Sequence, residues 1–127
     1  MIQIIESVLQ APVRFLPDKK SNFNPGIIAQ IIEIDGTPCC TVSDGTRPFG
    51  VVDNNLDQPF GMVPIWFDTM VFKTDVYEKR CSYEHGNPLY VSTRGLLTTK
   101  KNCEEAHLVG HVISGPDTHN YIEVNWI

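Results

Sequence analysis

This chain predicts an all-β fold, a small antiparallel β-barrel or sandwich of about seven or eight strands with an extended N-terminal arm. Three observations carry that prediction. Short β-prone runs such as Ile27–Ile34, Leu89–Val91 and Tyr121–Ile127 recur along the chain. Nine Gly and nine Pro, many for 127 residues, punctuate the spaces between such runs. Asp35-Gly36 and Asp44-Gly45 are dipeptides that favour two-residue hairpin turns.

Taken in order, the first element is ambiguous. Ile2, Ile5, Val8 and Leu9 fit a helical stripe, whereas Ile2-Gln3-Ile4 fits a strand. Pro12 and Pro17 limit either element, and the polar stretch Pro17–Gly26 reads as a loop. Residues 1–25 are therefore expected to form an arm that packs on something else, and residues 26–127 the β domain. Ile27–Ile34 carries Ile on both faces, as a strand central to a two-layer packing or at a subunit contact would. Through Asp35-Gly36, Thr37–Ser43 and Asp44-Gly45 the chain leads into Phe49–Val52, which predicts a three-stranded meander. Ile65–Glu78 is the longest β-like run, with a bend expected near Thr69.

The last third is the most regular. Leu89-Tyr90-Val91 and Leu96-Leu97-Thr98 flank Ser92-Thr93-Arg94-Gly95, a hairpin in which Gly95 supplies the positive φ. In Leu108–Ser114, Val109, His111 and Ile113 would share a face. A turn at Gly115-Pro116-Asp117 follows, and Ile122, Val124 and Trp126 share one face of the last strand. The apolar Trp126-Ile127 is expected to be tied into the sheet.

Size and charge bound the function. The chain is long enough for one domain that buries roughly two-thirds of its unfolded surface. Its formal charge is −5, with Lys79-Arg80 and Lys100-Lys101 as isolated pairs, which speaks against nucleic acid as a partner. No run reaches the roughly eighteen apolar residues of a membrane-spanning helix, so no membrane partner is expected. Met1–Leu16 lacks a positive n-region and is broken by Glu6 and Gln10, so synthesis in a cytoplasm is expected.

Four Cys and four His raise the question of a metal. Cys39-Cys40 lack zinc-knuckle spacing, and neighbours on a strand face opposite ways. Cys103, His107 and His111 would converge only on a helix, which Asn102 and Glu105 could open but Gly110, Val112 and Ile113 disfavour. On a strand, residues four apart lie roughly 13 Å from each other, too far for one ion. No metal ligand is assigned. The four cysteines are left as free thiols or ligands, with a Cys81–Cys103 disulfide as an alternative.

Ser114, His111 and Asp117 are close in sequence but come without a nucleophile elbow or oxyanion loop. Glu104-Glu105 reads as a solvated loop pair. No catalytic residue and no cofactor follow from these patterns. The aromatic residues read mainly as core, with a glycan or protein contact as the alternative.

Six segments, in this order, carry a resemblance: FNPGI (23–27), RPFGVV (47–52), KTDVYE (73–78), NPLYVSTRGLLTTK (87–100), HLVGHVISGP (107–116) and YIEVNWI (121–127). Together they resemble capsid decoration (cement) proteins of tailed bacteriophages, small virion structural β proteins. The resemblance implies a non-enzymatic capsid-surface protein that clamps neighbouring major capsid subunits, as a homotrimer, with Lys100–Ala106 outside the shared pattern. Candidate interface side chains are Ile2, Ile4, Phe15, Phe23, Ile27, Ile31 and Trp126. The alternatives are a tail or fibre domain that binds host glycan and a zinc-dependent enzyme built on Cys103, His107 and His111.

Overall fold

A computed structural model describes residues 1–56, 61–101 and 104–127. Eleven strands appear among them: β1 Ile2–Ser7, β2 Val13–Pro17, β3 Ile28–Ile34, β4 Thr37–Val42, β5 Gly50–Val52, β6 Val63–Phe67, β7 Met70–Thr74, β8 Pro88–Val91, β9 Leu97–Thr98, β10 Gly110–Ser114 and β11 Ile122–Trp126. The all-β prediction holds. They form a closed barrel in the order β2-β4-β3-β5-β6 and a six-stranded sheet in the order β1-β7-β11-β10-β8-β9.

The barrel starts from the turn that the sequence marks most clearly. Asp35 and Gly36 adopt φ of 51° and 79°, and Ile34 pairs with Thr37 across them, as a two-residue hairpin requires. The second Asp-Gly step does not repeat the pattern. β5 pairs with β3 on the side away from β4, so the expected meander is replaced by an order in which β3 is central. Asp44 instead accepts hydrogen bonds from the amide and hydroxyl of Thr46, which shapes a longer crossing connection. β6 then pairs with β5 and with β2, and a short parallel pairing of β2 with β4 closes the ring.

The expected bend near Thr69 is a break between modules. Asp68 takes φ of 71°, ending β6 in the barrel and starting β7 in the sheet. Tyr77, three residues beyond the end of β7, bridges to Leu97 and is buried. The C-terminal β11 lies between β7 and β10, its Ile122, Val124 and Trp126 all facing the core. The hairpin of β8 and β9 forms as read, with Val91 opposite Leu97 and Gly95 at φ 76°.

Residues 1–25 are divided between the two modules. β1 pairs with β7 as an edge of the sheet, and β2 is a stave of the barrel. The tendency of Ile2-Gln3-Ile4 to alternate wins over the helical stripe because β7 offers it a ladder. Asn54 bonds both backbone groups of Ile2, accepting from its N–H at 2.8 Å and donating to its carbonyl at 2.7 Å. That side chain covers part of the sheet edge with a barrel-side loop.

Two cores result. The barrel interior holds Ala29, Cys40, Val52, Val63 and Ile65, while the sheet core holds Phe72, Leu89, Val112, Ile122 and Val124 among others. Ile28 and Val51 belong to the sheet core although their strands are barrel strands, and Trp66 packs beside them. Alternation explains this: their neighbours Ala29, Val52 and Ile65 point into the barrel, so these three point out of it. The two-sided Ile pattern of β3 is thus a strand shared by two layers. The tip of the β8–β9 hairpin adds a second junction, where the amide of Ile28 donates to the Gly95 carbonyl at 2.8 Å.

Candidate functional site

The interface candidates read from sequence separate into three groups. Ile2 is 4% exposed and Trp126 3%, both enclosed by the chain's own sheet core, which leaves them little surface for a partner. Ile4 packs partly buried on that same core. Phe23, Ile27 and Ile31 are partly buried against the barrel core, so their apolar surface is largely used inside the molecule. Phe15 also packs against the barrel core, and of these candidates it is the one that joins a half-buried aromatic cluster.

That cluster was not legible in the sequence. Phe15 on β2 meets Phe49 edge-on at 5.5 Å between ring centroids and Phe67 at 6.3 Å, and Phe49 and Phe67 lie 4.6 Å apart. All three rings are half-buried. Phe49 and Phe67 share a surface depression with Leu108 and Ile127, which come from the sheet side and are exposed. An apolar patch therefore spans the junction of barrel and sheet. The available signal was weak: Phe49 and Phe67 stand where a β-run meets a turn, positions that are usually polar.

Two other surface features stand apart from it. On the sheet edge, the register between β1 and β7 shifts between Ile4 and Glu6. A bulge of this kind re-aims side chains, and Ile5 and Val8 are 44% and 64% exposed on either side of Glu6. At one end of the barrel, Leu16, Ile32, Ile34 and Cys39 floor an open groove of about 570 Å³ rimmed by Lys19 and Lys20.

Among the described residues the cysteines and histidines are held apart. Cys40 points into the barrel core and Cys39 lines the outer groove, on opposite sides of one strand. Burial pushes the Cys40 thiol up to about 12, far from a thiolate at neutral pH. His107 lies outside any regular element and His111 on β10, so no helix brings them together. Among the described residues no group of three or more His, Cys, Asp or Glu could hold a metal ion. Cys103, and with it the Cys81–Cys103 pairing, lies outside the described residues. Cys81 Sγ is 3.4 Å from Thr98 Oγ1. Asp117 accepts from the backbone amides of His119 and Tyr121 at 2.8 and 3.0 Å, a turn-forming role rather than a partner for His111.

Three carboxylates hold turns in this way. Hydrogen bonds from the hydroxyl and amide of Thr46 hold Asp44 below its usual 3.8, and those from the Tyr121 and His119 amides do the same for Asp117. At Asp18 burial opposes ionisation, but bonds from Ser21 and Thr41 outweigh it and the shift is again downward. Each contributes stability that is present above the unfolded value near 3.8 and is lost as pH falls through the lower folded value. Urea midpoints measured between pH 6 and pH 2 should therefore stay level and then fall below about pH 4. Asp44→Asn should make that acid limb shallower, because its amide still accepts but no longer titrates. An unchanged limb in the variant would remove Asp44 from this account.

Comparison with models of known protein families and with curated proteins finds no match. Among the described residues no helix is long and apolar enough to cross a membrane. The fold defines the chain as a two-module β protein, a barrel joined to an antiparallel sheet through shared core residues.

Proposed function

We propose that this chain is a non-enzymatic virion structural protein of the capsid-decoration class, which binds the outside of a tailed-phage head and clamps neighbouring major capsid subunits, acting as a homotrimer. The single observation that carries the reading is the apolar patch formed by Phe49, Phe67, Leu108 and Ile127 across the barrel–sheet junction, with Phe15 packed behind it against Phe49. Contiguous apolar surface rimmed by polar groups is the usual mark of a protein contact. Rigid aromatic anchors of this type carry most of the energy of such contacts. Because the patch takes residues from both modules, load applied there is shared between the barrel and the six-stranded ladder instead of pulling on one loop.

The motif order from Phe23 to Ile127 supports the same class.

The test is co-sedimentation of purified protein with empty tailed-phage heads that lack it. Saturable binding at a fixed ratio to capsid subunits is expected, together with a rise in the temperature at which the heads come apart. Phe49→Asp with Leu108→Asp should lower the affinity by at least about tenfold, the size of a lost hot spot. Absence of binding by the unaltered protein would refute the reading.

A further inference from the structure

The geometry points to a head-to-tail contact between copies of this chain, in which the Ile5–Val8 strip of one molecule sits in the Leu16–Lys20 groove of the next. This deepens the homotrimer reading and names the surfaces that would build it. The strip is apolar, acidic and apolar in order: Ile5, Glu6, Val8. It is presented on a held backbone, since Ser7 pairs with Met70 and the amide of Val8 donates to the Thr69 carbonyl at 3.1 Å. The bulge after Ile4 turns Ile5 out of the sheet core that receives Ile2 and Ile4.

The groove is the complement. Leu16, Ile32, Ile34 and Cys39 supply an apolar floor, with Leu16 and Ile34 among the exposed large hydrophobic side chains. Lys19 and Lys20 are both exposed at its rim and outnumber Asp18, which also lines the groove and accepts from the Ser21 amide at 2.9 Å, so the rim is a basic spot on a chain whose formal charge is −5. Apolar side chains on either side of Glu6 can enter the floor while the carboxylate meets the lysine pair, an arrangement of matched potentials that sets register and orientation.

The strip cannot fill the groove of its own molecule. β1 is locked to β7 in the sheet, while the groove lies on the barrel where β2 ends beside β4. The two surfaces differ, so the contact is heterologous and must close into a ring or run on as a filament.

The experiment is sedimentation velocity of the full chain across a concentration series, without shells, at low and high salt. Association that weakens as salt rises is expected, because the ion pairs sit at the rim. Glu6→Lys alone, and Lys19→Glu with Lys20→Glu, should each weaken association by about tenfold or more, and a mixture of the two charge-reversed proteins should recover a mixed oligomer. Far-UV dichroism and melting temperatures should match the unaltered protein, since all three side chains are exposed. A monomer at every concentration overturns the inference, as does an oligomer that ignores both charge reversals. A monomer that still binds heads, and loses that binding on Lys19→Glu with Lys20→Glu, would assign the groove to a capsid segment. That outcome overturns this contact while leaving the capsid reading standing.

Discussion

Replacing Gly110 with valine is expected to lower the unfolding free energy by about 3–4 kcal/mol, a large part of what a domain of this size has. The reason is backbone against backbone. A Cβ at position 110 would stand 1.9 Å from the carbonyl oxygen of Asn125 and 3.1 Å from the Cα of Trp126. Neither is the free end of a side chain that can swing away. β10 would have to separate from β11, where Gly110 faces Trp126, and the same residue also pairs with Leu89 on β8. The rupture would fall between the neighbours of a strand in the interior of the sheet. Urea denaturation followed by dichroism measures the change. Gly36→Ala is the control: it has φ of 79° but no heavy atom within 4 Å of its added carbon. Only the conformational cost remains there, about 1–2 kcal/mol. If Gly110→Val costs no more than that control, the close approach of β10 and β11 is not what the structure describes.

Ile28→Ala carries the second large effect, and it tests how the two modules hold together. Ile28 is fully buried and projects from a barrel strand into the sheet core. Truncating a buried isoleucine costs about 2–5 kcal/mol through lost transfer energy and the cavity left behind. The expected signature goes beyond the magnitude. Both modules share Ile28 and Val51, with Trp66 against them, so tryptophan fluorescence and far-UV dichroism should report one coincident transition that moves to lower denaturant in the variant. Two resolved transitions, with the sheet surviving a loosened barrel, would mean that the shared core does not couple them.

Several surface expectations changed because burial depends on partners that lie far away in the chain. Ile2 and Trp126 read as contact residues because an apolar side chain near a chain end has no evident neighbour in the linear order. In the fold, β1 and β11 flank β7 on its two sides, and the two side chains close over a common core. The phenylalanine cluster was missed for the converse reason. Phe15 and Phe67 lie on β2 and β6 and Phe49 just before β5, and they meet only when β6 returns past β2 and β5. The Lys19-Lys20 pair read as loop charge. Its apolar floor is assembled from β2, β3 and β4, which only the barrel closure brings together.

By itself the sequence determined the all-β class, the turn at Asp35-Gly36, the hairpin around Gly95, the common face of Ile122, Val124 and Trp126, and the docking of the last strand into a sheet. These depend on period-two alternation and on positive-φ residues, which are local properties. The tertiary structure alone decided that the strands divide into a barrel and a sheet, that β5 pairs beside β3 instead of following β4, and that residues 1–25 serve both modules. Alternation tells which side chains share a face but carries no information about which strand pairs with which, because every ladder offers the same N–H and C=O groups. That choice belongs to the whole chain, where Ile28, Val51 and Trp66 find one core on the outside of the barrel and Ala29, Val52 and Ile65 another within it.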